Sequence, residues 1–133
     1  MERVLVDTSA ILALLEPNDE AHERAKRAFE TLRARDVVLV ATSYTLLETY
    51  ALIGRRFGLS AVTRFRESFA PILDVVWVGR DLHDAALDLL VLRGRQRLSL
   101  VDAVSFVLAQ REGITEAFAY DRHFSGEGLH LVQ

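Results

Sequence analysis

The chain contains no cysteine and no long apolar run, and each absence excludes a class of protein. Without cysteine there is no disulfide framework, no thiolate catalysis and no zinc bound through sulfur, so a metal site must use oxygen or histidine ligands. The longest apolar run, Ala10 to Leu15, is far too short for a membrane span, and Met1 leads directly into an apolar strand rather than a signal peptide. We therefore expect a soluble, cytoplasmic protein.

Lysine is almost absent, since 15 of the 16 basic residues are arginine and only Lys26 is lysine. Arginine binds phosphate through two parallel hydrogen bonds, although the codon bias of a GC-rich genome explains the arginines equally well. A net charge of −3 argues against a protein that coats nucleic acid by bulk charge. If four of the 19 acids form a metal site, the remaining acids and bases nearly balance, which leaves room for a basic rim around an acidic centre.

The apolar pattern predicts one α/β domain over residues 1–133. Short apolar runs rich in β-branched or aromatic residues predict strands buried on both faces, with a fifth run at the edge of the sheet. These runs are Val4 to Val6, Val37 to Val40, Val75 to Val78, Ala117 to Tyr120 and, at the edge, Leu129 to Val132. Helical patterns lie between them, which indicates a mainly parallel sheet with helices on both faces.

Six helices are predicted from the spacing of apolar residues. They are Ser9 to Glu16, Asn18 to Ala34, Ser43 to Phe57, Ser60 to Ala70, Arg80 to Gln96 and Ser99 to Glu112. Four of them begin at a residue type that favours helix N-caps, namely Asn18, Ser43, Ser60 and Ser99. Glycine ends two of them, at Gly58 and Gly113.

Two acids follow predicted strands directly. Asp7 ends the strand in "RVLVDTSA", and Asp121 follows the strand in "AFAYDRHF". Ligands of open parallel sheets bind at the carboxyl ends of the strands, where strand order reverses. Capping of the next helix explains either acid alone, but two acids at the same edge also favour a functional site.

Two further acids lie inside apolar helical patterns. Glu48 lies one turn from Tyr44 and Leu52, and a salt bridge to Arg55 or Arg56 is as good an explanation as a functional role. Asp102 follows Ser99 by three residues, close to a capping box, in a first helical turn that favours a negative charge.

Together, Asp7, Glu48, Asp102 and Asp121 would form a negatively charged pocket of oxygen ligands. Such a pocket requires divalent cations, and Mg²⁺ or Mn²⁺ suits carboxylates and water. Two such ions roughly 4 Å apart can activate water and stabilise the leaving oxygen of a phosphodiester. The spacing therefore predicts metal-dependent hydrolysis of nucleic acid.

These residues resemble the PIN-domain family, and within it the VapC-like toxin ribonucleases, over essentially the whole chain. Each of the four family acids lies in one of four segments, in this order: "VLVDTSAILALL", "YTLLETYALIGRRFG", "LSLVDAVSFVLAQREGI" and "AFAYDRHF". The resemblance implies that Asp7, Glu48, Asp102 and Asp121 are the metal-binding and catalytic acids, with Thr8, Ser9 and Ser99 as supporting polar groups. One departure is Ala119, where many relatives carry threonine, and it bears on the shape of the pocket near Asp121.

The resemblance also implies a fold, an activity and partners. The fold would be a three-layer α/β/α sandwich with a mainly parallel five-stranded sheet, forming a single PIN-like domain. The activity would be that of an Mg²⁺- or Mn²⁺-dependent endoribonuclease acting on an RNA substrate. The partners would be a second copy in a homodimer and a small cognate antitoxin that blocks the active-site groove.

Several other residues have two explanations. Arg122 and Arg97, the latter in the cluster "RGRQR" with Arg93 and Arg95, are expected to contact the RNA backbone, with simple surface exposure as the alternative. For His123 we favour a structural role beside Phe124 over that of a general base or metal ligand. We expect the helically spaced acids to be exposed to solvent; these are Asp81, Asp84 and Asp88. We expect the remaining apolar residues to pack in the core rather than to contact a dimer partner or an antitoxin; these are Ala10 to Leu15, Phe57, Phe65 and Phe69.

Three alternative functions stay open at this point. A housekeeping RNA-processing nuclease would use the same residues without an antitoxin. A phospho-accepting receiver domain is also compact and α/β, but it requires a lysine after the last core strand, and Lys26 lies near the start of the chain. A binding scaffold without metal is disfavoured because all four acids are present.

Overall fold

The computed structural model describes residues 1–94 and 97–133 and contains a five-stranded, all-parallel sheet. The strand order is β3-β2-β1-β4-β5, so β1 is central and the last strand lies at an edge, as predicted. The strands are β1 Arg3–Val6, β2 Val38–Thr42, β3 Asp74–Val76, β4 Glu116–Phe118 and β5 His130–Val132. The α/β fold class with a parallel five-stranded sheet is confirmed.

Six α-helices connect the strands in the described part of the chain. They are α1 Thr8–Leu15, α2 His22–Ala34, α3 Ser43–Phe57, α4 Leu59–Ser68, α5 Arg80–Arg93 and α6 Leu100–Glu112, with short 3₁₀ helices at Ala70–Ile72 and Arg122–Glu127. None of the helices in these described residues is both long enough and apolar enough to cross a membrane.

The two faces of the sheet form separate parts of the core, because successive strand residues point to opposite sides. Val4 and Val6 of β1 face a cluster formed with α1 to α4. Leu5 of the same strand faces the other way, toward α6 and the 3₁₀ helix that contains Phe124. This alternation gives the expected three layers, with the sheet between two helical layers.

Three predicted helix N-caps are wrong. Asn18 lies before a turn in which the Asp19 carboxylate accepts from the backbone N–H of Ala21 at 2.8 Å, so α2 begins only at His22. Thr42 caps α3, because its side chain accepts from the backbone N–H of Thr45. The Ser43 hydroxyl accepts instead from the backbone N–H of Val78 at 2.9 Å.

The third wrong N-cap is Ser60, and the position belongs to Gly58 instead. Gly58 ends α3 and begins α4 with a φ of 88°, a left-handed value that glycine adopts without strain. The caps at Ser99 and Gly113 are confirmed, the first by a 3.0 Å bond from the backbone N–H of Asp102.

Two element ends also differ from the prediction. Helix α5 ends at Arg93 because Gly94 adopts a φ of 65°, and the predicted end at Gln96 lies outside the described residues. Strand β3 ends at Val76, and the Trp77 side chain that follows is 75% exposed. Because β3 is an edge strand, burial on both faces was a wrong expectation for this run.

Strand order reverses next to β1. The chain places β2 and β3 on one side of β1 and then returns to place β4 and β5 on the other side. The carboxyl ends of β1 and β4 therefore flank the switch point where open α/β sheets bind ligands.

Candidate functional site

The predicted acids share one cavity at this switch point. The cavity has a volume of about 260 Å³, and all four carboxylate residues lie in its wall together with the three predicted supporting residues. These residues are Asp7, Glu48, Asp102 and Asp121, with Thr8, Ser9 and Ser99. Four separate segments of the chain thus place their acids around the same space.

Asp7 reaches the cavity because it follows β1 and caps α1. Its Oδ2 accepts from the backbone N–H of Ser9 at 3.1 Å and from the Ser9 hydroxyl at 2.5 Å. Burial raises the pKa of Asp7 above its ordinary value, Asp121 and Glu48 raise it further, and the two bonds from Ser9 oppose the shift. Capping uses Oδ2, while Oδ1 makes no hydrogen bond to any described residue, so the capping role and the site role coexist.

Asp102 lies in the first turn of α6, which Ser99 caps. Burial raises the pKa of Asp102 to about 7, and the charges of Asp7, Asp121 and Glu48 contribute to the shift. The residue is 9% exposed, and its carboxylate forms no salt bridge within the described residues. The capping geometry explains how an acid is tolerated at this position, and the cavity shows where its carboxylate lies.

Glu48 projects from the middle of α3 into the same cavity. No salt bridge to Arg55, Arg56 or any other described cation forms, so the structural explanation for this acid is not supported in residues 1–94 and 97–133. Its charge instead acts on Asp7 and Asp102, whose pKa values it raises. Glu48 therefore shares the cavity with three other acids.

Asp121 caps the 3₁₀ helix Arg122–Glu127 and is paired with His123. Its Oδ1 accepts from the backbone N–H of His123 at 3.0 Å and lies 2.9 Å from Nδ1 of the same residue. The His123 ring is exposed, whereas Phe124 is buried against Phe106, so the two neighbouring rings lie in different environments and the structural role of His123 stays a prediction.

His123 also lies close to two of the acids. One oxygen each from Asp102 and Asp121 and one nitrogen from His123 lie within 4.8 Å of one another. The Asp-x-His spacing, which lets a capping aspartate contact the side chain two residues later, was the signal that could have identified it.

The supporting residues divide into two kinds. Ser9 and Ser99 contact the segments that carry the acids, because the Ser9 hydroxyl donates to Asp7 and accepts from the backbone N–H of Tyr120 at 2.9 Å, while Ser99 caps the helix of Asp102. Thr8 is different, since its hydroxyl contacts Thr49 at 3.1 Å and not the neighbouring acid. The Ala119 side chain is fully buried, and the backbone carbonyl of Ala119 accepts from Nε2 of Gln133.

The predicted RNA-contacting arginines lie to one side of the acids. Arg122 lines a larger cavity of about 910 Å³ that shares Asp121 with the acidic cavity. Arg97 is exposed but does not line either cavity. Arg93 pairs with Glu127, and Arg95 lies outside the described residues.

The donor set fits a divalent cation of the hard type. The cavity offers carboxylate oxygens from four residues and one imidazole nitrogen nearby, without sulfur. Mg²⁺ and Mn²⁺ prefer oxygen ligands, and imidazole is accepted by Mn²⁺. Burial is the main cause of the raised pKa values of Asp7 and Asp102, and the neighbouring carboxylates add to it, so a bound cation would relieve both effects.

The topology excludes one of the alternative functions. Receiver domains have the flavodoxin-like strand order 2-1-3-4-5. The order here is β3-β2-β1-β4-β5, so a different strand lies at the centre of the sheet.

Known proteins share both the sequence and the fold. A PIN domain family model matches residues 4–126. The 23S rRNA-specific endonuclease VapC20 of Mycobacterium tuberculosis is 33% identical over 131 residues, 98% of each chain. The crystal structure of M. tuberculosis VapC20, described as a Sarcin-Ricin loop cleaving toxin, superposes with a TM-score of 0.83 over 96% of each chain.

More distant structures share the fold alone. FitAcB from Neisseria gonorrhoeae is 16% identical, with a TM-score of 0.71 over 98% of this chain and 96% of that one. The family match covers all four acids, and the identity to VapC20 extends over nearly the whole of both proteins. On this evidence, the chain belongs to the PIN domain family.

Proposed function

We propose that this chain is a divalent-cation-dependent endoribonuclease of the VapC type, in which Asp7, Glu48, Asp102 and Asp121 form the active site. The observation that carries the proposal is the convergence of four acids that have no arginine or lysine partner among the described residues. The identity to VapC20, whose name describes a 23S rRNA-specific endonuclease, supports RNA as the substrate class.

The four acids would hold the cation, with His123 as an added nitrogen donor. A bound Mg²⁺ or Mn²⁺ supplies an activated water and stabilises the charge that develops on the scissile phosphate. The chain itself supplies orientation, because the two hydrogen bonds from Ser9 fix Oδ2 of Asp7, a residue of the cavity wall. Arg122, in the adjoining cavity, would contact the RNA backbone by charge and hydrogen bonding, and Arg97 would add a weaker contact further away.

The biological setting follows from the same relative. VapC20 is described as a toxin, and a toxin requires a means of restraint, so we propose a small cognate antitoxin as the partner. We also propose a single domain over residues 1–133, a homodimer and a cytoplasmic location. The housekeeping nuclease stays the alternative, because it would use the same site without the antitoxin.

The direct test is RNA cleavage by the purified chain with Mn²⁺, with Mg²⁺ and with EDTA. We expect cleavage with either cation and none with EDTA, and we expect Asp7→Asn to remove the activity while the protein stays folded. Asp84→Asn is the matched control, because Asp84 is an exposed acid on α5 outside the cavity. Sequencing of the new RNA ends, with ribosomal RNA among the substrates, identifies the cleavage site.

Two results would overturn the proposal. Cleavage that persists in EDTA, or cleavage by pure Asp7→Asn at the wild-type rate, would remove the metal site from the mechanism.

Growth arrest on expression, relieved by the neighbouring short reading frame, separates a toxin from a housekeeping nuclease. Unimpaired growth with full RNA cleavage in vitro would favour the housekeeping alternative.

A further inference from the structure

A set of buried hydroxyl side chains, one of which is Thr8 in the wall of the acidic cavity, has no use in the catalytic proposal. All of them are at most 4% exposed, and they belong to α1, α6, α3 and the residue that caps α3. We call this set the hydroxyl chain; its members are Thr8, Thr42, Thr45, Thr49 and Ser105.

The hydroxyl chain crosses between helices at two points. Thr8 of α1 contacts Thr49 of α3 at 3.1 Å between the hydroxyl oxygens. Thr45 of α3 contacts Ser105 of α6 at 3.4 Å. Helix α3 therefore has a hydrogen-bonded contact to each of the two other helices that begin beside a proposed metal-binding acid.

Donors and acceptors can be assigned without conflict along the hydroxyl chain. The Thr49 hydroxyl donates to the backbone carbonyl of Thr45 at 2.8 Å, so at the contact with Thr8 it must accept. The Thr42 hydroxyl accepts from the backbone N–H of Thr45 and donates to its hydroxyl at 3.3 Å, which leaves Thr45 to donate to Ser105. Every described buried side-chain polar atom has a hydrogen-bond partner, and this includes the hydroxyls of this set.

Each crossing lies within one helical turn of an acid. Thr8 follows Asp7 directly, and Ser105 lies one turn after Asp102 in α6. On α3, Thr45 lies one turn before Glu48 and Thr49 follows it directly. A shift of any of these helices relative to its neighbour would therefore move an acid by a similar distance.

We propose that the hydroxyl chain positions the acids, by holding α1, α3 and α6 at fixed separations against the mutual repulsion of their carboxylates. This inference rests on the proposed metal site. Apolar side chains of the same volume would fill the space equally well, but their contacts are non-directional and allow helices to slide. Hydrogen bonds between hydroxyls are directional, so they favour one separation and one register of the two helices that they join.

The test compares two substitutions at the same position. Thr45→Val keeps the volume and removes the hydroxyl, whereas Thr45→Ser keeps the hydroxyl and removes the methyl group. The readouts are the Mn²⁺ dissociation constant from calorimetry, without RNA present, and the Tm from thermal unfolding in EDTA. We expect Thr45→Val to weaken Mn²⁺ binding about tenfold or more, and Thr45→Ser to keep the wild-type dissociation constant despite a lower Tm.

The same pair at Thr49 keeps the test informative if Thr45→Val does not fold. Ile53→Val is the matched control, since Ile53 is fully buried on the same face of α3 one turn beyond Thr49 and has no hydroxyl. This control should lower the Tm without changing Mn²⁺ affinity, because it removes packing alone.

Each outcome separates the two proposals. If the wild-type chain binds Mn²⁺ and the valine variants bind it equally tightly, the positioning role is wrong and the metal site stands. If affinity falls in step with Tm in the valine, serine and Ile53→Val variants alike, the hydroxyl chain is ordinary core packing. If the wild-type chain binds no Mn²⁺, the metal site fails and the positioning role fails with it.

Discussion

The two ends of the parallel sheet differ in how their charges are compensated. At the amino ends of the strands, Arg35 contacts Glu116 at 2.7 Å and Glu2 at 2.8 Å, and Arg3 contacts Glu112 at 3.1 Å. At the carboxyl ends, Asp7, Glu48 and Asp102 line one cavity and form no salt bridge among the described residues. The acids at the amino end have arginine partners, and among the described residues these three acids at the carboxyl end have none.

The pKa values follow this difference. At the amino end, hydrogen bonding from Arg35 lowers the pKa of Glu116. At the carboxyl end, burial and neighbouring carboxylates raise the pKa of Asp102 to about 7. The amino end is therefore stabilised as it stands, whereas the carboxyl end has an unfavourable charge distribution that a divalent cation would correct. A protein keeps such an arrangement where function requires it.

The largest expected effect is loss of activity in Asp102→Asn. Cation-assisted charge stabilisation is worth several kcal/mol, so RNA cleavage should fall at least about a hundredfold. The free energy of unfolding in EDTA should rise, because asparagine removes a buried charge. Glu116→Gln at the opposite end is the control and should leave cleavage unchanged. Loss of cleavage in both variants would contradict the difference between the ends.

The second effect is a pH dependence of stability. Folded Asp102 keeps its proton up to about pH 7, whereas in the unfolded chain the carboxyl ionises near its ordinary value of 3.8. Between these values the folded state binds more protons, so without metal this residue lowers stability as pH rises, by an amount of order 1 kcal/mol per pH unit.

A cation competes with that proton, so Mn²⁺ should raise the Tm more at about pH 8 than at about pH 5.5. Thermal unfolding with and without Mn²⁺ across this range measures the effect. Asp102→Asn should flatten both profiles. Equal stabilisation by Mn²⁺ at both pH values would show that Asp102 does not take part in binding.

A smaller effect is expected at His123. If its imidazole adds a nitrogen ligand to the site, His123→Asn should weaken Mn²⁺ binding about tenfold and Mg²⁺ binding less, because imidazole suits the transition metal better. Calorimetry with both ions measures the ratio. His130→Asn is the matched control, since His130 is an exposed histidine in β5 outside both cavities. An unchanged ratio would restrict the acidic site to oxygen ligands.

The smallest effect belongs to the paired end. Arg35→Gln removes a partly exposed network, and such pairs contribute little, so the Tm should fall by only a few degrees. Cleavage and Mn²⁺ affinity should stay at wild-type values. Added salt should reduce the difference between wild type and variant, because salt screens exposed charges. A change in Mn²⁺ affinity would show that the two ends are coupled through the sheet.

Much of the fold could be read from local patterns. The runs around Val4, Val38 and Ala117 predicted the central strands, because burial on both faces leaves no alternation. Helix ends were predicted less well where tertiary contacts decided them. Ser43 was taken for an N-cap, but its hydroxyl bonds to the backbone of Val78, a residue 35 positions away that no local pattern connects to it.

The site shows the same division. The order of the four acids and their sequence contexts predicted which residues would meet, and their convergence in one cavity agrees with that prediction. The contact between His123 and Asp121 was not predicted, because it depends on the turn geometry of a 3₁₀ helix. The hydroxyl chain was not predicted, since Thr8, Thr45 and Ser105 meet only after three helices have packed.

The sequence by itself determined the alternation of strands and helices, the absence of sulfur ligands and the position of each acid at a strand end or in a helix. Those properties depend on residue type and local spacing. Only the tertiary structure decided that the acids line one cavity without an arginine or lysine partner among the described residues, and that His123 lies next to Asp121. These properties depend on distances between segments far apart in the chain, which the strand order and helix packing set.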